Sequence, residues 1–248
     1  MAEGVPISPS IAYNMGMLAL YQGDREEALN HFRRATSLDP KMTEAFLSIS
    51  WIEQSLARSY RFQQEPNYEK SLLSLQRAQE AAGMVDPPSE RSLGLQGYCA
   101  NSRAQIADLL GDSHERARQY AEAERFFKGA LEVDPNSASA YNGLGNVYYA
   151  QHAFDKMIDS CKQAVRLNRG YVAAYKDLGL AYFMRMRQEE ESDRWYEWYE
   201  KAVLTLEQAY DLAETDADAA AREEYHRQIE KLLHKLKLDW RRHKLLYE

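Results

Sequence analysis

Residues that interrupt helices or cross-link chains are scarce in this sequence of 248 residues. Glycine occurs 12 times and proline 7 times, which disfavours collagen-like, linker-rich and many-turned all-β architectures. The 2 cysteines, Cys99 and Cys161, lie far apart and outside any CxxC pair. They therefore indicate neither a disulfide framework nor a thiolate metal site, and a reducing compartment such as the cytoplasm fits them best.

Segments that insert or target a chain are also missing from the sequence. No run of about 18 apolar residues occurs, so no transmembrane helix is predicted. The first ten residues, MAEGVPISPS, lack a basic region followed by an apolar stretch, which argues against a signal peptide. We expect residues 1–8 to form a disordered tail.

Motifs that carry chemistry are absent as well. The sequence contains no GxGxxG, Walker loop, HExxH or GxSxG motif, and its 6 histidines are scattered. The acidic run at 189–193 lacks the interspersed ligands and fixed glycine of a calcium loop. We therefore expect no enzyme activity, no metal and no cofactor.

The composition that is present favours a helical globular protein. Apolar residues make up 45% and charged residues 28%, and the abundant Ala, Leu, Glu, Arg and Gln are good helix formers. The net charge of -7 makes general nucleic-acid binding improbable, because phosphate contacts need local Lys and Arg.

Two stretches of the chain repeat one pattern. Residues 24–40 read DREEALNHFRRATSLDP, and residues 119–135 read QYAEAERFFKGALEVDP. In both, Ala is followed by Phe four residues later and by Ala three residues after that, which places the three on one helical face. The matching positions are Ala28, Phe32, Ala35 and Asp39-Pro40 in the first stretch, and Ala123, Phe127, Ala130 and Asp134-Pro135 in the second.

A second motif accompanies the first. Residues 141–148 read YNGLGNVY and residues 175–182 read YKDLGLAY, with their central glycines 34 residues apart; a weaker copy surrounds Gly16. These are positions of the pattern W-x2-L-G-x2-Y…A-x3-F…P. Over about residues 9–214 the chain resembles the tetratricopeptide repeat (TPR) family. The resemblance implies an all-α, right-handed superhelix of helix-turn-helix repeats that binds another protein.

Alignment on these positions predicts about five repeats and a capping helix. The repeats lie at about residues 9–42, 43–87, 88–137, 138–171 and 172–214, and the capping helix at 216–248. Ser50 takes the glycine position of repeat two, and Gly94 that of repeat three. Cys161 takes the large apolar position of repeat four.

Repeats two, three and five exceed the standard length. Their additional residues, 51–63, 95–110 and 184–200, contain few helix breakers and are predicted to extend the helices. Glu65-Pro66-Asn67 and Gly111-Asp112-Ser113 are predicted turns, with Asp112 or Ser113 as an N-cap.

The resemblance implies that the first helix of each repeat lines a concave groove that holds a peptide or helix of a partner. The groove positions lie three and two residues before the glycine position, and one and four after it. With Gly94 as reference, repeat three would contribute Arg91, Ser92, Leu95 and Tyr98. The predicted groove residues are Tyr13, Asn14, Met17, Trp51, Gln54, Asn142, Asn146, Tyr149, Lys176 and Asp177.

One TPR subclass binds chaperone C-terminal tails through a clamp of Lys, Asn and Arg. Tyr13, Met17 and Ser48 stand at clamp positions here, and Asp177 would repel a carboxylate. We therefore do not expect chaperone-tail binding.

The C-terminal segment offers alternatives. Residues 231–247 contain six Lys or Arg side chains against Asp239. The basic patch of Lys235, Lys237, Arg241, Arg242 and Lys244 could contact nucleic acid or an anionic membrane, although bases at a helix end also match the helix dipole.

Two apolar faces in this region also have two interpretations each. The apolar stripe from Tyr225 to Trp240 predicts either end-capping or a short coiled-coil dimer. The motif WYEWYEKA at 195–202 predicts either packing or an exposed aromatic docking patch. Self-assembly, with one molecule's terminus in the groove of another, is a further alternative.

Overall fold

A computed structural model describes residues 7–215 and 219–247, and within these ranges the chain forms α-helices and no strand. The predicted all-α fold is confirmed. The helices are α1 (Pro9–Tyr21), α2 (Arg25–Leu38), α3 (Thr43–Phe62), α4 (Tyr68–Gly83), α5 (Glu90–Leu109), α6 (Ser113–Val133), α7 (Ala138–Ala150), α8 (Phe154–Leu167), α9 (Val172–Met186), α10 (Ser192–Ala213) and α11 (Ala219–Tyr247).

The chain divides into two compact units. The N-terminal unit ends at Pro135 and contains α1–α6, and the C-terminal unit begins at Asn136 and contains α7–α11. Residues 1–6 of the predicted disordered tail lie outside the described residues. Ser8 caps α1, since its side chain accepts a hydrogen bond from the backbone N–H of Ile11 at 3.2 Å.

Two turns of the N-terminal unit use the same Gly-Asp pair. Gly23 and Gly111 have φ values of 85° and 77°, a region that glycine enters without a Cβ clash. The aspartate after each glycine caps the following helix: Asp24 accepts from the N–H of Glu27, and Asp112 from that of Glu115, both at 2.9 Å. The N-cap predicted at Asp112 is therefore confirmed.

The predicted helix extensions are present, with one correction. α3 and α5 each have 20 residues, and α6 has 21. The segment 184–200 is not one continuous extension, because α9 ends at Met186 and α10 begins at Ser192. The extra length of repeat five therefore belongs mainly to α10, which has 22 residues.

Close helix packing in the N-terminal unit depends on two glycines. A Cβ added at Gly16 would lie 2.7 Å from the ring of Phe32, and one added at Gly97 would lie 2.7 Å from the ring of Phe127. The assignment of Gly94 to the glycine position of repeat three is therefore wrong, since no atom lies within 4 Å of a Cβ added there. The Leu93-Gly94 pair imitates the motif three residues too early.

The C-terminal unit repeats this contact with different partners. A Cβ at Gly145 would lie 2.8 Å from Cys161 Sγ, and one at Gly179 would lie 2.6 Å from Leu206. Cys161 thus occupies the large apolar position, as predicted. Burial raises the pKa of its thiol well above the usual value.

The last helix completes the core of the C-terminal unit. Ile229 and Leu236 of α11 are fully buried in one cluster with residues of α8–α10. Trp195 is buried too, and its ring stacks on His243 of α11 with centroids 4.1 Å apart. The predictions of a coiled-coil dimer and of an exposed aromatic docking patch are therefore wrong, because both apolar faces pack inside the C-terminal unit.

Candidate functional site

Both units present a row of first helices that carries the predicted groove residues. In the N-terminal unit this row is α1, α3 and α5. In the C-terminal unit it is α7 and α9, and α11 follows as the helix that packs on α10 and α9. The two rows differ in chemistry.

The row of the N-terminal unit exposes large apolar side chains. Met17 is 44% exposed and Trp51 is 47% exposed, and each directly follows the small residue of its repeat, Gly16 or Ser50. Asn14 is exposed beside Met17. Sequence reasoning missed that Tyr21, at the end of α1, is almost fully exposed and enlarges this apolar surface.

Two other predicted groove residues of the N-terminal unit, Tyr13 and Gln54, contact other residues of the same unit. The ring of Tyr13 packs on Phe32, with centroids 5.3 Å apart. Gln54 Nε2 donates to the carbonyl oxygen of Leu95 at 2.9 Å and lies 3.3 Å from Cys99 Sγ, so it ties α3 to α5. Burial raises the pKa of Cys99 to about 12, which keeps this thiol protonated and unreactive near neutral pH.

The corrected position of repeat three changes its groove residues. Counting from Gly97 gives Gly94, Leu95, Tyr98 and Asn101, in place of Arg91, Ser92, Leu95 and Tyr98. Asn101 is buried, and its Oδ1 has no hydrogen-bond partner among the described residues. A signal for this position exists in the sequence, since Gly97 is followed three residues later by Ala100, as Gly16 is by Ala19.

Ser92 has a structural role instead of a place on the groove face. Its Oγ accepts from the backbone N–H of Ser89 at 3.0 Å, and its own N–H donates to Ser89 Oγ at 3.1 Å. This reciprocal capping box fixes the start of α5.

A chain of polar contacts joins the row of the C-terminal unit. Asn142 Nδ2 of α7 donates to Asp177 Oδ2 of α9 at 3.2 Å. Asp177 Oδ1 lies 3.3 Å from Lys176 Nζ, which donates to Gln228 Oε1 of α11 at 3.1 Å. Three predicted groove residues are thus brought together, and Gln228 is a fourth member that no sequence signal indicated.

Two members of this polar chain are buried. Asn142 is 4% exposed and Asp177 is 5% exposed, so both are enclosed between helices. Because a carboxylate only accepts hydrogen bonds, the amide nitrogen of Asn142 must face Asp177. Its Oδ1 is buried and has no hydrogen-bond partner in the described part of the chain.

Among the predicted groove residues of this row, solvent reaches Asn146, Tyr149 and Lys176. Asn146 Nδ2 donates to the carbonyl oxygen of Asn142 at 3.2 Å, one turn away on α7. The Tyr149 ring is 40% exposed and packs beside Phe154. The buried pair of Asn142 and Asp177 therefore supports a surface formed by these three residues.

The predicted basic patch lies on α11. Lys235, Lys237, Arg241 and Arg242 are exposed and form no ion pair with any described residue. The ammonium of Lys244 lies over the Trp240 ring, 5.3 Å from its centroid. Asp239, the acid of this segment, pairs with Arg187 at 3.4 Å.

Within residues 7–215 and 219–247, no helix is both long and apolar enough to cross a bilayer. In the same ranges, no group of three or more His, Cys, Asp or Glu side chains could hold a metal ion.

Tetratricopeptide repeat models match two segments of the sequence, residues 9–42 and 109–172. The chain is a tetratricopeptide repeat protein. TPR proteins are typically non-catalytic and bind other proteins. Membership of the family explains the helix packing of this chain but does not identify its partner.

Two curated proteins match shorter segments. The tetratricopeptide repeat domain-containing protein PYG7, chloroplastic, of Arabidopsis thaliana is 36% identical over 77 residues, which are 29% of this chain and 26% of that protein. Stress-induced-phosphoprotein 1 of Caenorhabditis elegans is 28% identical over 67 residues, which are 27% of this chain and 21% of that protein. The matched segments thus span about a quarter of those proteins or less.

A solved structure matches over almost its whole length. TTC0263, a thermophilic TPR protein of Thermus thermophilus, aligns with a TM-score of 0.65 and 18% identity, covering 90% of this chain and 99% of that one. At this identity the likeness shows the fold alone.

Proposed function

We propose that this TPR protein is a non-catalytic scaffold that binds a peptide or helix of another protein on its first-helix rows. The observation that carries the proposal is the exposure of Met17 and Trp51 at equivalent positions of α1 and α3. A tryptophan that is half exposed leaves a large apolar area in water, and tryptophan is the residue type most enriched at energetic centres of interfaces. The exposed face of α1 extends this surface.

The row of the C-terminal unit supplies a second, more polar contact in the proposal. Asn146 is a half-buried amide, Tyr149 offers an aromatic face, and Lys176 carries a charge. An amide beside an aromatic ring suits the backbone and side chains of an extended segment. Asn142 and Asp177 act by holding these residues in place and make little direct contact.

The test compares exposed apolar residues on first and second helices of the same unit. The variant Met17→Ala with Trp51→Ala removes the proposed contact. The matched control is Leu38→Ala with Leu73→Ala, because both leucines are 47% exposed but lie on the second helices α2 and α4. A photo-crosslinking amino acid at position 51 first identifies the partner, and calorimetry with the purified partner then measures affinity.

The proposal predicts at least a tenfold loss of affinity for the first variant and less than a threefold loss for the control. The reason is that truncating a central aromatic side chain of an interface to alanine typically costs about 2 kcal/mol or more of binding free energy. Equal losses in the two variants would show that the first-helix row has no special role. Asn142→Ala with Asn146→Ala tests the second contact in the same assay.

The same proposal places the chain in the cytoplasm and assigns it no catalytic step. Both cysteines are buried free thiols, which suits a reducing compartment. Chaperone C-terminal tails remain excluded from the proposed partners, because Tyr13 and Met17 replace the cationic and amide residues of that clamp. Nucleic-acid or membrane binding by the basic patch is the alternative, and the charge arrangement of α11 bears on it.

A further inference from the structure

The outward face of α11 has an acidic start and a basic end. Glu223 and Glu224 lie near its start, Arg241 and Arg242 lie near its end, and all four side chains are exposed. The opposite face of the helix is the packed one, with Ile229 and Leu236 fully buried. The charged face is therefore available to a partner without disturbing the core.

The two charged ends share one side of the helix. Glu223 and Arg241, and likewise Glu224 and Arg242, are eighteen residues apart, which is about five turns of 3.6 residues. Between them on the same side lie Arg227, Lys231, Lys235 and Leu238, all exposed. The face is about 27 Å long at 1.5 Å per residue.

The charges of this face are complementary to those of a second α11 helix that runs in the opposite direction. In an antiparallel pair of α11 helices related by a two-fold axis near Leu232 and Leu233, Glu223 lies opposite Arg242 of the second copy, and Glu224 lies opposite Arg241. Glu230 lies opposite Lys235 in the same alignment. Two-fold symmetry produces each of these pairs twice.

The apolar part of the face fits the same alignment. Leu238, which is 40% exposed, lies opposite Arg227 of the second copy, whose aliphatic stem can cover it. Lys231 lies opposite His234, a contact that adds no attraction. A parallel alignment would instead place acid against acid and base against base, which is repulsive.

We propose that two copies of this chain associate through the outward faces of α11, antiparallel and related by a two-fold axis. The cations are available for this contact, because Lys231, Lys235, Arg241 and Arg242 form no ion pair with any residue that the structure describes. Glu223 and Glu224 have partners on their own helix, where Arg227 lies 4.0 Å from Glu223 and 2.9 Å from Glu224. Those short-range pairs can rearrange at a small cost.

A second copy explains the face better than a polyanion does. A nucleic acid or an anionic membrane that covers the basic end also approaches Glu223 and Glu224 on the same face and is repelled there. Neither phosphates nor lipid headgroups offer a surface for the exposed part of Leu238. The association is electrostatic, so it weakens as salt rises.

Sedimentation equilibrium of the full chain tests the proposal. At an ionic strength of about 0.01 M, where the screening length is about 30 Å, the weight-average mass should rise with concentration above the 28.7 kDa of one chain. At about 1 M, where the length is about 3 Å, it should return to that value. A mass that stays at 28.7 kDa at low salt and high concentration overturns the proposal.

Two charge-reversal variants make the test specific. Glu223→Arg with Glu224→Arg makes both ends of the face basic, and Arg241→Glu with Arg242→Glu makes both ends acidic. Each variant alone should be monomeric, but an equimolar mixture should associate, since every ion pair across the two-fold axis is then restored. A mixture that stays monomeric contradicts the antiparallel alignment.

A control separates the position of the charges from net charge. Arg166→Glu with Arg169→Glu makes the same change in net charge elsewhere in the C-terminal unit, at two exposed residues. This control should associate as the parent chain does. If instead the parent is monomeric and binds an RNA oligomer or vesicles containing phosphatidylserine, the face serves a polyanion and the self-association proposal is wrong.

Discussion

The N-terminal and C-terminal units use one packing device and present two different surfaces. In both, a glycine of the first helix lies against a large side chain of the second, at Gly97 and Phe127 in one unit and at Gly179 and Leu206 in the other. The first-helix rows nevertheless differ: α1 and α3 expose Met17 and Trp51, whereas α7, α9 and α11 are joined by a polar chain.

The difference shows that the repeat pattern specifies the contact within a helix pair and leaves the outer face free. The residues of the motif are buried at the pair interface, where volume is constrained. The groove positions lie beside them and meet solvent or a neighbouring first helix, so their chemistry can diverge without loss of the fold. At the motif positions, by contrast, the volume stays small: Ser50, which takes the glycine position of repeat two, is a small buried residue.

The largest expected effect concerns the large side chain of the packing device. Phe127→Ala should reduce the free energy of unfolding of the N-terminal unit by about 3–5 kcal/mol, because it leaves a ring-sized cavity. Cys161→Ala, at the equivalent position of the C-terminal unit, removes one buried atom and should cost about 1 kcal/mol. Urea denaturation with amide hydrogen exchange measures both, and equal costs would contradict the expectation that the size of the buried side chain sets the loss.

Substitution of the glycine partner tests the corrected position in repeat three. Gly97→Ala should cost about 1–3 kcal/mol, because the added methyl group meets the Phe127 ring. Gly94→Ala should instead stabilise α5 by up to about 1 kcal/mol, since its surroundings are open and alanine favours helix. Thermal unfolding separates the two results, and the reverse order would restore the original alignment.

The polar chain of the C-terminal unit should contribute to its stability. Asn142→Ala leaves the buried Asp177 with one donor fewer and should cost about 1–3 kcal/mol. Asn146→Ala, one turn away and partly exposed, is the matched control and should cost less than about 1 kcal/mol. Urea denaturation followed by circular dichroism measures both. If Asn142→Ala left the free energy of unfolding unchanged, the polar contacts of Asn142 and Asp177 would not hold α7 and α9 together.

Cys99 should give the N-terminal unit a specific loss of stability in alkali. Its pKa is raised to about 12 in the folded state by burial, while the unfolded thiol ionises near its ordinary value of 9.0. Above about pH 9 the unfolded state therefore binds fewer protons, and stability should fall by up to about 1.4 kcal/mol per pH unit. Cys99→Ala should remove this part of the pH dependence, as measured by urea denaturation between pH 8 and 10; an unchanged slope would refute the assignment.

The smallest expected effect on stability is that of Trp51→Ala. Because about half of the side chain already meets solvent, the free energy of unfolding should change by about 1 kcal/mol or less. Leu73→Ala is the matched control on α4. A loss of more than about 2 kcal/mol in a denaturation experiment would mean that Trp51 serves the fold and would weaken its proposed role in binding.

Local sequence patterns were sufficient for most of the fold. The spacings of Ala28, Phe32 and Ala35 identified the second helices, and the cap at Asp112 followed from its turn, since both depend on neighbours within one helix or turn. The position of repeat three was misassigned, because the Leu93-Gly94 pair imitates the motif and outweighs the weaker signal of Ala100 after Gly97. The packing against Phe127 decides between the two glycines.

The candidate site was predictable in position and only partly in chemistry. Asn142 and Asp177 belong to the predicted first helices, but their mutual hydrogen bond and burial depend on the distance between α7 and α9. Gln228 joins them from a helix that carries no repeat motif. Contacts between elements distant in sequence leave no periodic signal, so the pattern alone does not reveal them.

Site-specific photo-crosslinking tests the central claim, that a partner protein docks on the first-helix row of the N-terminal unit. A photoreactive phenylalanine analogue replaces Trp51 in one sample and Leu73 in another, two positions with the same 47% exposure on α3 and α4. We expect one predominant crosslinked protein at position 51 and none at position 73. The same crosslinks at both positions, or the partner at position 73 alone, would contradict it.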